Sequence, residues 1–131
     1  MEVHLKIIGL LFIALAWVHI IFPKYFNWKE DLKPLSLINR QMMIVHTFFI
    51  ALVVFLIGLL CVVASKELIN TKLGHVICLG LGVFWTCRLF IQFFVYSSAL
   101  WKGKTFETAV HVVFSVLWAY SSIIFLVVAL G

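Results

Sequence analysis

The chain has 131 residues, 65% of them hydrophobic and 11% charged, with a formal net charge of +5 and a mean hydropathy of +1.19. Soluble domains carry about 45–50% apolar and about 25% charged residues, so this composition excludes an ordinary soluble domain and points to a membrane protein. The basic excess calls for no nucleic-acid partner, because anionic lipid headgroups account for it.

The first apolar run covers about residues 5–22. Lys6 followed by an apolar stretch containing "ALA" has the look of a secretory signal. The run continues through "WVHIIF", however, and reads as a permanent helix. Pro23 ends it. The segment "PKYFNWKEDLKPL" then mixes Tyr25, Phe26 and Trp28 with Lys24, Lys29 and Lys33, the chemistry of a headgroup-level stretch rather than a crossing.

Three further apolar runs follow, at about 41–64, 74–98 and 106–130. At about 1.5 Å per residue each of the four is long enough to cross about 30 Å of hydrocarbon. Connections this short make consecutive helices antiparallel neighbours. The expectation is therefore an all-α, polytopic membrane protein: one domain, residues 1–131, built as an antiparallel bundle of four transmembrane helices. Gly9, Gly58, Gly74, Gly80 and Gly82 lie in one half of that bundle, where they would allow close helix contact.

Lysine and arginine beside the helix ends give the orientation. Lys24, Lys29, Lys33, Arg40, Lys102 and Lys104 follow the first and third runs, against Lys6, Lys66 and Lys72 on the other side. This bias puts both termini outside an inner, plasma-type membrane. Cys61, Cys78 and Cys87 all fall within apolar runs and read as buried free thiols.

Polar residues inside these runs mark the candidate site. Counting about 1.5 Å per residue from the cytoplasmic helix ends places His111 and His46 about 8 Å deep, His19 about 5 Å, Gln92 about 9 Å, and Arg88 roughly a turn deeper. At 100° per residue, Glu107, His111, Ser115, Trp118 and Ser122 share one face of the last helix. Gly74, Cys78, Gly82, Trp85, Arg88 and Gln92 share one face of the third, and Asn39, Met43 and His46 one face of the second. Faces carrying ionisable groups turn away from lipid, so these residues are expected to converge inside the bundle. His4 and His75 belong to the opposite interface.

Three ligand classes suit such a layer. His19, His46, His111 and Glu107 would offer a divalent ion, zinc or iron, three nitrogens and an oxygen. Arg88, Gln92 and a histidine would hold a quinone or lipid headgroup, with Trp85 and Trp118 as apolar walls and Ser115 beside them. Haem would need His46 and His111 as axial ligands. Metal ranks ahead of quinone or lipid, and haem comes last.

The runs "NRQMMIVHTFFIAL", "RLFIQFFVY" and "FETAVH" resemble those of small bacterial four-helix inner-membrane proteins that usually carry no assigned function. The resemblance implies the same membrane architecture and assigns no residue a role. The build is also similar to that of small accessory subunits and biosynthetic scaffolds, a likeness of architecture only. Two function classes stay open: a ligand-binding module with an intramembrane polar pocket, and an accessory or assembly subunit in which the polar layer serves helix packing. The latter would dock its aromatic faces on a larger membrane protein or on a second copy. No paired nucleophile and base, phosphate-binding loop or Cys-x-x-Cys motif points to an enzyme class.

Overall fold

The computed structural model describes residues 1–131 and is wholly helical, without strands. The helices are α1 (Glu2–Val18), α2 (Phe22–Tyr25), α3 (Trp28–Asp31), α4 (Leu37–Val63), α5 (Ser65–Asn70), α6 (Lys72–Phe94) and α7 (Thr105–Leu130), with a 3-10 turn at Ser98–Leu100 before the last. Three of them, α4, α6 and α7, are long and apolar enough to cross a membrane. At 17 residues, α1 extends about 26 Å.

That helix ends four residues before the expected Phe22. Pro23 has no N–H to offer the carbonyl of His19, and its ring would crowd that carbonyl if the α-helix ran on. The chain tightens instead: Ile20 N–H bonds Trp17 O and Ile21 N–H bonds Val18 O, at 3.1 and 3.0 Å. Pro23 then sits in the first turn of α2, where its missing donor costs nothing. Asn27 joins α2 to α3 in the left-handed conformation (φ 53°, ψ 47°), which asparagine tolerates better than most residues.

The chain divides into two compact units, Val3–Ser65 and Lys66–Gly131 together with Met1–Glu2. In the first, α1 and α4 form an antiparallel pair whose backbones meet at two glycines. A β-carbon on Gly9 would lie 2.6 Å from the carbonyl oxygen of Gly58, and one on Gly58 would lie 2.7 Å from that of Gly9. No side chain fits there, so this pair of glycines sets the helix separation.

In the second unit α5 turns back onto the start of α6. Thr71 Oγ1 accepts from Gly74 N–H at 2.9 Å and donates to Glu67 O at 2.7 Å, while His75 Nε2 donates to Ile69 O at 2.6 Å. Gly74 packs against the backbone of Glu67 and Leu68. Beyond this turn α6 and α7 run antiparallel, with Gly82 against Leu126, Trp85 against Trp118 and Gln92 against His111. Gly74, Cys78, Gly82, Trp85 and Gln92 are buried along α6, the face expected from their spacing.

Two expectations are corrected. Gly80 faces open space and makes no helix contact. Cys61 and Cys78 are buried free thiols, but Cys87 is exposed.

Candidate functional site

The α6–α7 hairpin holds a chain of polar groups inside an aromatic wall. Arg88 donates to Gln92 Oε1 at 3.2 Å, one turn along α6. Gln92, 7% exposed, reaches across to α7, where its Nε2 lies 2.7 Å from His111 Nδ1. Burial of Gln92 makes its bonds costly to lose, because an unpaired buried donor or acceptor costs about 1–3 kcal/mol.

Aromatic rings enclose this chain. Trp101, from the connection between the helices, stacks on His111 with centroids 3.8 Å apart and planes 11° from parallel, and Phe93 meets the same imidazole edge-on at 5.9 Å. Deeper in the hairpin Trp85 and Trp118 stack at 4.8 Å and 7°, with Phe114 against Trp118 at 5.6 Å. The Arg88 guanidinium lies 5.1 Å from the Trp118 ring centroid and 5.4 Å from that of Tyr96. Each such contact contributes about 0.5–2 kcal/mol.

Not every polar atom here is paired. The indole N–H of Trp118 and the hydroxyl of Ser121, one turn on, are buried without a hydrogen-bond partner, whereas buried polar groups are nearly always satisfied. Ser115 and Ser122 donate back along α7 to the carbonyls of His111 and Trp118, both at 2.7 Å. Ser115 thus spends its proton on its own helix.

The structure therefore brings together Trp85, Arg88, Gln92, His111 and Trp118 from the residues singled out by spacing. It adds Tyr96, just past the end of α6, and Trp101, which helical periodicity does not address because it lies in the connection. The signal available for Trp101 was its place beside Lys102 and Lys104, between the two helices that carry the polar face.

No group of three or more His, Cys, Asp or Glu side chains is placed to hold a metal ion. Glu107 is exposed in the first turn of α7, where a carboxylate complements the helix dipole. His46 is exposed on α4, as are Asn39 and Met43. His19 Nδ1 bonds the Leu15 carbonyl at 2.8 Å, turning the ring back along its own helix. The contacts of Gly9 with Cys61 and of Gly58 with Ile13 fix the α1–α4 register. His19 borders an open hollow of about 180 Å³, with Pro23, Trp28, Thr47, Phe48 and Ala51 among its walls.

No protein-family model matches the chain, and neither does any curated protein or solved structure.

Proposed function

We propose that the chain is a multi-pass protein of an inner, plasma-type membrane that binds the polar head of a membrane-soluble molecule, a quinone or a lipid. In this reading α1, α4, α6 and α7 all cross the bilayer and assemble as an antiparallel four-helix bundle with both termini outside. The single observation that carries it is the Arg88–Gln92–His111 chain walled by Trp85, Trp101 and Trp118. A ligand with oxygen acceptors at its head and an apolar body suits that combination, because the groups left over on Arg88 and Trp118 are donors. Zinc or iron falls behind, since no group of three or more His, Cys, Asp or Glu side chains is placed to hold it.

The test is extraction of the purified protein with organic solvent followed by mass spectrometry. A quinone or an anionic phospholipid at close to one per chain in the wild type, and depleted in Arg88→Ala, supports the reading. Equal retention by both proteins overturns it.

A second reading, an accessory or assembly subunit, takes the same chain as packing: Gln92 bonds Arg88 on one side and His111 on the other, as a residue that fixes helix register would. Stoichiometric co-purification of a larger membrane protein, with nothing in the solvent extract, favours it.

A further inference from the structure

We infer that Arg88 acts on His111 through Gln92, fixing the imidazole as a hydrogen-bond donor at Nε2, so that this site receives a ligand oxygen and is closed to divalent metal ions. The inference deepens the ligand-site reading above, while its central claim concerns three residues of the chain alone.

Arginine has only donors. The atom of Gln92 that faces Arg88 at 3.2 Å is therefore the carbonyl oxygen, since the reversed amide would set N–H against N–H. Holding Oε1 in this way directs the amide N–H of Gln92 at His111 Nδ1, 2.7 Å away. Nδ1 must accept that bond, and a neutral imidazole that accepts at one nitrogen carries its proton on the other. The two ring nitrogens diverge, so the Nε2–H of His111 points away from Gln92. Trp101 flat on the ring and Phe93 at its edge hold the plane. Gln92 is buried, which keeps water from replacing the relay.

A metal ion needs the lone pair of a neutral imidazole. The only lone pair on this ring is at Nδ1, and the Gln92 N–H occupies it. Glu107 and His111 stand four apart on α7, a spacing that invites a chelate, yet the imidazole offers an acceptor only to Gln92. What His111 has left to give is a proton donor, as Arg88 does through its remaining N–H groups. Arg88 is thus a positioning residue for His111, and the ligand chemistry it selects is an oxygen acceptor, whether a quinone carbonyl or a lipid phosphate.

Nitrogen-15 spectroscopy of histidine-labelled protein at about pH 8, above the ordinary histidine range of about 6.5, tests this, with His111→Gln identifying the resonance. The wild type should show a single tautomer protonated at Nε2. Arg88→Met, which frees the Gln92 amide to turn over, should give mixed tautomers, and Arg88→Lys, which keeps a donor for Oε1, should restore the single one. Gln92→Glu should invert it, because a carboxylate accepts from Nδ1–H. Zinc chloride alone should leave the wild-type His111 signals unmoved. A proton on Nδ1 in the wild type, an unchanged tautomer in Arg88→Met, or zinc binding at His111 overturns the inference. Two additions separate the ligand sources: a short-chain benzoquinone, and vesicles of phosphatidylglycerol against phosphatidylcholine. A shift of the Nε2–H proton with either supports the selected chemistry. With the tautomer and zinc results as expected and neither addition felt, the positioning role stands and the ligand-site reading falls.

Discussion

Trp101 lies flat against His111, centroids 3.8 Å apart, although it belongs to the connection and to neither helix. Its backbone is held as well, since Thr108 Oγ1 donates to the Trp101 carbonyl at 2.7 Å. The connection is thereby fastened to the first turns of α7.

Removing that ring should loosen the connection before it loosens the hairpin. Trp101→Ala should lower the unfolding free energy by about 0.5–1.5 kcal/mol beyond lost burial. Hydrogen exchange should rise first at Lys102 and Gly103, with α6 protected as before. Protection lost uniformly along α6 and α7 would contradict the assignment of Trp101 to the loop clasp.

Glycine substitutions should fall into three ranks. Gly58→Ala would set a β-carbon against the Gly9 carbonyl and should cost about 1–3 kcal/mol. Gly82→Ala meets Cδ2 and Cγ of the Leu126 side chain at 2.5 and 2.8 Å, with the Leu126 backbone nitrogen at 3.4 Å; the side chain can shift where a carbonyl cannot, so its cost should be smaller than at Gly58. Gly80→Ala meets nothing and should be neutral or stabilise by up to about 1 kcal/mol. Thermal unfolding in detergent checks the order, and equal losses at Gly58 and Gly80 would refute it.

A double-mutant cycle on His111→Ala and Gln92→Ala should give a coupling of about 0.6 kcal/mol, the average for polar pairs between membrane helices, and at most about 1.7 kcal/mol. The same cycle on Glu107→Ala and Gln92→Ala should give none, because Glu107 is exposed. Steric-trap or denaturant titrations measure both.

The α1 helix decides whether the termini share a side. Four crossings place both ends together, and three place them apart. The four apolar lengths predict four crossings, and the basic bias then puts both ends outside. Single cysteines at Glu2 and Gly131, in a background lacking Cys61, Cys78 and Cys87, should both react with an impermeant thiol reagent added to intact cells. Reaction at one end alone would leave α1 on one side of the membrane.

Sequence periodicity was a good guide wherever a side chain belongs to a long helix and a poor one elsewhere. The starts of α6 and α7, each within two residues, and the inward set Trp85, Gln92 and Trp118 follow from apolar length and a 100° step, because packing of a helix face imposes that step, whereas α4 begins at Leu37, four residues before the apolar run. The end of α6 was read too far, to Ser98. The apolar composition continues through Val95 and Tyr96, but Ser97 Oγ accepts from Ala99 N–H and starts a new turn. The histidine layer rested on depth counted from helix ends. That count for His19 assumed a helix running to Phe22, whereas α1 ends at Val18 and His19 Nδ1 turns to the Leu15 carbonyl. Trp101 had no helical face to be counted on, so only the folded connection reveals its partner.

The parallel stack of Trp85 on Trp118, at 4.8 Å and 7°, also makes the interior of the α6–α7 hairpin optically visible. Two indoles that close share their electronic excitation, so the pair should absorb and emit as one coupled chromophore with its own circular-dichroism band. Replacing either ring by phenylalanine should abolish that band while leaving the helical signal in place. The colour of the hairpin, in the ultraviolet, then reports whether α6 and α7 are packed, with no label attached and in any lipid the protein is placed in.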